Sequence, residues 1–349
     1  MKRTFRIVVA WIISAVLAVV LVACAGQPPA SRPGGPITLR VGYFPNITHS
    51  QALVGVARGD FQKALGQNVT LDVKIFNAGP SAIEAMFAGQ LDLSYIGPNP
   101  AVNGYVQSKG EALRVIAGAT SGGASLIVRP QANISKPEDF AGKKIASPQM
   151  GNTQDVALRA YLTMHGLKLA EKGGNVQVVP TDNPQILDLF KLGQIDGAWV
   201  PEPWATRLIV DGGGQLLLDE RDLWPNGDFV TGNIIVSTKF LQEHPDVVKA
   251  WLRAHVEVTQ WELANPDQAK QLANDEIKRL TGKPLPKEVV DGAWSRMRIT
   301  YDPISSSLFK SAEDAYTAGF LKERPNLSGI YDLTLLNEVL KEKGLPSVK

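Results

Sequence analysis

Gly193-Gln194-Ile195-Asp196-Gly197-Ala198-Trp199-Val200-Pro201-Glu202-Pro203-Trp204-Ala205 restates a phrase that the chain has used roughly a hundred residues earlier, Gly89-Gln90-Leu91-Asp92-Leu93-Ser94-Tyr95-Ile96-Gly97-Pro98-Asn99-Pro100-Ala101. Each copy closes an amphipathic helical run (Ile83 to Phe87; Ile186 to Leu192) with a glycine, passes through a short apolar strand to an aromatic (Tyr95, Trp199), and stops at Pro-x-Pro, the register slipping by one residue just before it. Glycine suits the left-handed residue that ends a helix, and proline cannot continue a central strand but fits the first turn of a new helix. Each copy therefore reads as helix, strand, turn, helix. In an open parallel α/β sheet, ligands sit at the turn beyond a strand's C-terminal end, facing the N-terminus of the next helix. Two such units predict two α/β lobes, each offering a turn of this kind.

The whole chain has room for both. With 349 residues and 44% hydrophobic content it can bury a large core, and disordered and collagen-like classes are excluded. The formal charge of +2 arises at the N-terminus: without Lys2, Arg3 and Arg6, 33 basic residues face 34 acidic ones. No basic cluster with interleaved aromatics appears, so nucleic acid is not expected as a partner.

Lys2, Arg3 and Arg6 form a positive n-region, and the apolar run Ile7 to Ala23 ends in Leu21-Val22-Ala23-Cys24, which looks like a lipobox. Residues 1–23 are expected to be a lipoprotein signal peptide and Cys24, the chain's single cysteine, the lipidated residue. A lone thiol in an exported chain is explained if lipid consumes it. A non-cleaved anchor is the alternative, and either way the body lies outside the cytoplasm. The Pro- and Gly-rich segment 24–36 is expected to be a flexible tether.

From Ile37 onward, strands are expected at 37–43, 69–76, 113–119, 125–129, 176–179, 216–218 and 234–237, with helices at about 50–65, after 151–155 and at 184–192, and a helical region from Pro245 onward. The small residues at Thr120-Ser121-Gly122-Gly123-Ala124 suit a hinge, and Phe229 to Asn233 suits a second crossing. The expected division is 37–120 plus 230–349 for one lobe and 121–229 for the other. Trp251, Trp261 and Trp294 read as core, and His165, beside Gly166, as a helix-end cap.

Catalytic signatures are missing. There is no nucleophile elbow, phosphate loop or dinucleotide fingerprint, and His49, His165, His244 and His255 lack metal-ligand spacing. The expectation is a non-enzyme with no cofactor and no metal. Binding chemistry remains: Thr48, His49, Ser81, Asn99, Ser121, Asn152, Thr153 and Gln154 are neutral groups beside expected helix N-termini, where backbone N–H groups and the dipole can hold a sulfonate or similar oxyanion. Glu202 is the misfit, a poor N-cap that adds negative charge. It either meets a cationic part of the ligand or bonds to the opposite lobe on closure. Trp204 could supply a flat apolar wall; Trp199 either joins it or is core.

These phrases, with the lipobox, the opening LRVGYFPNITHSQALVG and SPQMGNTQD, resemble the solute-binding lipoproteins of sulfonate/nitrate/taurine-type ABC transporters, over essentially all of Ile37 to the C-terminus. The resemblance implies an α/β, two-lobed periplasmic-binding-protein fold (type II) with the ligand cleft between the lobes. It implies a monomeric receptor, lipid-anchored to the cell membrane, that delivers a small solute to an ABC permease and its ATPase. Aliphatic sulfonates or taurine-like molecules lead; nitrate, bicarbonate, thiamine pyrimidine and riboflavin are alternatives within the resemblance. Nitrate is placed lower because Glu202 would repel it. A related branch makes thiamine pyrimidine with a cysteine-rich motif, and this chain has no cysteine to spare.

Overall fold

A computed structural model describes residues 35–349; the signal segment 1–23, Cys24 and nearly all of the tether lie outside the described residues. Thr38–Lys349 packs as one compact unit. Its chain runs β1 (Ile37–Tyr43), a 3-10 turn (Ile47–His49), α1 (Ser50–Ala57), α2 (Asp60–Leu65), β2 (Val69–Ile75), α3 (Gly79–Phe87), β3 (Leu93–Ile96), α4 (Pro98–Gln107) and β4 (Leu113–Gly122). It then makes β5 (Ala124–Val128), β6 (Lys144–Ser147), α5 (Thr153–Met164), β7 (Gln177–Pro180), α6 (Asn183–Lys191), β8 (Gly197–Pro201), α7 (Trp204–Val210) and β9 (Gln215–Asp219). The last stretch is β10 (Val230–Ser237), α8 (Thr238–Glu243), α9 (Pro245–Ala264), α10 (Pro266–Thr281), α11 (Lys287–Ser295), β11 (Met297–Ile299), α12 (Ser305–Ala318) and α13 (Thr334–Glu342).

The strands form two sheets, β11-β4-β10-β3-β1-β2 and β7-β6-β8-β5-β9, each the centre of one lobe. The repeated phrase is the same structural unit in both. Gly89 (φ +67°) and Gly193 (φ +70°) end α3 and α6 in the left-handed region. The paired bonds Gly89 N–H to Met86 O with Gln90 N–H to Ala85 O, and Gly193 N–H to Phe190 O with Gln194 N–H to Leu189 O, are two Schellman caps. The aspartate that follows does one job twice: Asp92 Oδ2 accepts the backbone N–H of Arg40 at 2.9 Å, and Asp196 Oδ2 that of Lys144 at 2.8 Å. Each carboxylate thereby ties its strand, β3 or β8, to its parallel neighbour, β1 or β6.

Chain passage between sheets occurs at Gly123 and again between β9 and β10. Gly122 (φ +73°) and Gly123 (φ +78°) both lie in the left-handed region, and a Cβ on Gly122 would sit 2.7 Å from the Arg296 carbonyl oxygen. Only glycine fits there.

Three expectations are corrected. The helix expected over 50–65 breaks into α1 and α2 at Gly59 (φ +73°). Strand β6 falls in a segment given no element, and β11 interrupts the region expected to be helical, where it pairs antiparallel with β4. Trp251 is core, fully buried and stacked on Phe61 at 3.8 Å, whereas Trp261 and Trp294 are half-buried. His165 does occupy the C-cap position of α5.

Candidate functional site

Apolar strands that end at the edge of a sheet place the following turns on a common face. Here the turns of both lobes face each other around a small chamber lined by Phe44, Asn46, Thr48, His49, Asn77, Gly97, Asn152, Thr153, Gln154, Asn183, Pro201 and Thr231. Three helices of nine residues or more begin at this chamber, α4 from the first lobe and α5 and α6 from the second, and α3 begins two residues beyond the lining residue Asn77. None has a side-chain cap, although α5 and α6 carry Asn152 and Asp182 in the N-cap position. Pro80, Pro98, Pro100 and Pro184 remove part of the first-turn N–H set, and the N–H groups that remain, with the positive end of the helix dipole, suit an oxyanion.

No Lys, Arg, Asp or Glu lines the chamber. His49 is neutral: burial lowers its pKa to about 3, and its Nδ1 accepts the Phe44 backbone N–H at 3.2 Å, which leaves the proton on Nε2 as a donor. The Phe44 ring stacks on the imidazole at 4.5 Å and holds its plane. Thr153 Oγ1 and Asn183 Oδ1 are buried without a protein partner. The chamber thus offers neutral hydrogen-bonding groups and dipoles, with no counter-charge.

Of the residues expected at the site, Thr48, His49, Asn152, Thr153 and Gln154 line the chamber. Ser81 Oγ instead meets the Gln149 amide at 3.2 Å, across the lobes. Asn99 Nδ2 donates to the Ser311 carbonyl at 2.9 Å and borders a separate cavity of about 170 Å³, while Ser121 Oγ accepts the Phe229 N–H at the crossing. Asn46, Asn77, Asn183 and Thr231, which were not anticipated, complete the polar part of the lining, and Phe44, Gly97 and Pro201 the rest. Asn77 and Asn183 do sit in expected turns before helical runs, the one signal that could have named them.

Glu202 makes bonds to the chain rather than lining the chamber. Fully buried, it accepts the Thr206 backbone N–H at 3.0 Å, the Thr206 hydroxyl at 3.0 Å and Arg296 Nη1 at 3.2 Å. From the position before the N-cap, Pro203, it accepts an N–H of the first turn of α7, and Arg296 comes from the first lobe. Burial raises its pKa, against the opposing pull of the Thr206 N–H and Arg296. The repulsion expected against nitrate loses its basis, because this carboxylate is paired and set back from the chamber. Trp199 is core, its indole N–H donating to Glu220 at 2.8 Å.

The lobes are closed on each other. Trp204 Nε1 donates to Asn46 Oδ1 at 2.9 Å, Asn77 Nδ2 approaches Asp182 Oδ2 at 3.5 Å, and Gly97 packs so tightly on Thr153 that a Cβ there would lie 2.2 Å from its Oγ1. In this state the chamber has about 20 Å³, close to one water, and it shares Asn46, Asn77 and Asn183 with an outer cavity of about 500 Å³ whose walls include Trp204. Among the described residues no group of His, Cys, Asp and Glu is placed to hold a metal ion, and no helix is long and apolar enough to cross a membrane.

A family model, described as the NMT1-like family, matches residues 33–275. The chain belongs to the NMT1-like family. Among similar proteins is the taurine-binding periplasmic protein of Escherichia coli (strain K12), 29% identical over 280 residues that span 79% of this chain and 84% of that one. Similar solved structures include the alkanesulfonate-binding protein of Xanthomonas axonopodis pv. citri bound to MOPS (TM-score 0.71, 20% identity, covering 86% of this chain and 99% of that one). The periplasmic nitrate-binding protein of Synechocystis PCC 6803 is also similar (TM-score 0.72, 15% identity, 90% and 92% covered). The NMT1-like chain therefore has the two-lobed periplasmic-binding-protein fold.

Proposed function

We propose that the chain is the extracytoplasmic solute-binding receptor of an ABC importer and that its solute is an organosulfonate. One observation carries this reading: uncapped helix N-termini from both lobes, those of α4, α5 and α6, meet at one chamber lined by neutral hydrogen-bonding groups. A sulfonate's delocalised charge suits dipoles and N–H groups without a cation. Because donors come from both lobes, the solute interacts best with lobes closed around it, the chamber held wider than its present size of about one water, and shifts the population toward that state. The outer cavity gives an organic tail a place that an inorganic anion does not need. The taurine-binding relative supports the same class. Thr48, His49, Asn152, Thr153 and Gln154 are proposed as headgroup contacts, with Asn46, Asn77 and Asn183. Cys24 is proposed as the lipid attachment that holds this body near its permease.

The test is thermal unfolding of the full chain with alkanesulfonates, taurine, nitrate, bicarbonate, thiamine pyrimidine and riboflavin. A solute that binds only the folded state stabilises it by about 2.7 kcal/mol at a hundred times its Kd. Sulfonates are expected to raise Tm, and Asn152→Ala to reduce the rise. A rise with nitrate or a heterocycle alone would keep the receptor and replace the solute.

A further inference from the structure

We infer that the solute's tail is a flat, uncharged, apolar group, so that the preferred ligand class is an arylsulfonate rather than an amino-bearing sulfonate such as taurine. This rests on the organosulfonate reading and deepens it. The argument starts from the outer cavity of about 500 Å³, which lies within the range of small-molecule sites and opens from the chamber through shared walls at Asn46, Asn77 and Asn183. A headgroup in the chamber therefore directs its tail here. The apolar walls include Trp204, five prolines from Pro45 to Pro286, Ile277 and Leu285. Proline rings have no side-chain rotamers to lose, and the Trp204 indole is held at its edge by Asn46 at 2.9 Å and on a face by the Arg207 guanidinium at 4.7 Å. Rigid, flat walls suit a flat ring, since aromatic contacts add to the burial of apolar area and little side-chain freedom is lost on binding.

The charge distribution points the same way. An ammonium group leaving water needs a carboxylate partner. The chamber lining has none, and the outer cavity has only Asp211, whose Oδ2 is bonded to Arg207 Nε at 3.0 Å. Nearby Asp182 faces Asn77 and Gln149, each at 3.5 Å, and Glu202 is enclosed by Thr206 and Arg296. With Arg207 and Asp211 paired, Lys283 leaves the outer cavity with a surplus positive charge, which disfavours an ammonium further.

The experiment is calorimetric titration of the full chain with methanesulfonate, taurine and 2-naphthalenesulfonate, repeated on Trp204→Ala and on Pro284→Glu, the latter at an exposed position where folding is not at stake. Naphthalenesulfonate is expected to bind at least about tenfold tighter than either small sulfonate. In both variants the ratio of naphthalenesulfonate to methanesulfonate affinity is expected to fall at least about tenfold. Taurine binding as tightly as naphthalenesulfonate, or an unchanged ratio in both variants, overturns the inference while leaving a sulfonate receptor. Binding of no sulfonate at all overturns the receptor's solute class and the inference with it.

Discussion

Gly97→Ala separates closure from folding. Gly97 has φ −71° and ψ 159°, a conformation open to any L-residue, so the backbone does not require glycine there. What requires it is the other lobe: an added Cβ would lie 2.2 Å from Thr153 Oγ1 and 3.3 Å from Thr153 Cβ. Turning the threonine about χ1 removes the first contact but leaves the second. Overpacking of this size costs about 1–3 kcal/mol, and the cost falls on the closed state alone. In the open state the methyl is accommodated, and the loss of unfolded-chain entropy stabilises the protein by about 0.4–1 kcal/mol. Since the solute acts by favouring closure, its affinity should drop about 5- to 150-fold while the solute-free protein melts no lower than wild type. Calorimetric titration with a binding sulfonate, thermal unfolding without it, and small-angle scattering with it together read these quantities. Wild-type affinity with an unchanged solute-bound radius of gyration would refute the reasoning, because the lobes would then close without that contact.

Arg296→Met removes the cross-lobe partner of a fully buried carboxylate, and stability to urea should fall by about 3 kcal/mol, less in the double variant with Glu202→Gln. Glu262, 1% exposed with both carboxylate oxygens unpartnered, has its pKa raised by burial from 4.5 to about 8. The folded state therefore binds more protons than the unfolded state between these values, so this group's contribution to stability falls as pH rises through them. His49 and His255, lowered by burial to about 3 and about 4, act oppositely but only below their unfolded value of 6.5, where unfolding takes up protons. Between pH 6.5 and 8 Glu262 should dominate, with Glu220, raised by burial to about 7, adding to it in the lower part of that window, and Glu262→Gln should remove its own share of about 1.4 kcal/mol per pH unit in urea titrations. Cys24→Ser should move the protein from the membrane fraction to the soluble fraction of an expressing cell, and unchanged membrane attachment would exclude lipid on that thiol.

Much of the fold was legible because its signals are local. A glycine in the left-handed region and an aspartate that reaches the adjacent strand are chemistry of a few consecutive residues, which is why the phrase could be read twice as helix, strand and turn. Strand β6, four residues without clear alternation, and β11, three residues set among helices, owe their existence to partners distant in sequence. The site divides the same way. Thr48, His49 and the Asn152–Gln154 turn follow from the geometry of a strand leading into a helix. Ser81 and Asn99 have the same local grammar, but Gln149 and the Ser311 carbonyl, 68 and 212 residues away, engage them. For Glu202 the deciding group is Arg296, 94 residues on, and no spacing rule links them. The sequence pattern starts the helix at Pro184, whereas it begins one residue earlier, which makes Asn183 its first helical residue and Asp182 its N-cap.

The central claim is that a sulfonate is held between the lobes by helix N-termini and neutral donors. A crystal structure of the chain with a bound alkane- or arylsulfonate tests it most directly. The account expects the three sulfonate oxygens in the chamber, with bonds from both lobes, among them the Thr48–His49 turn and the Asn152–Gln154 turn, and the tail against Trp204. A sulfonate seated outside the chamber, on Arg207 or Lys283 with no contact to those turns, would contradict it.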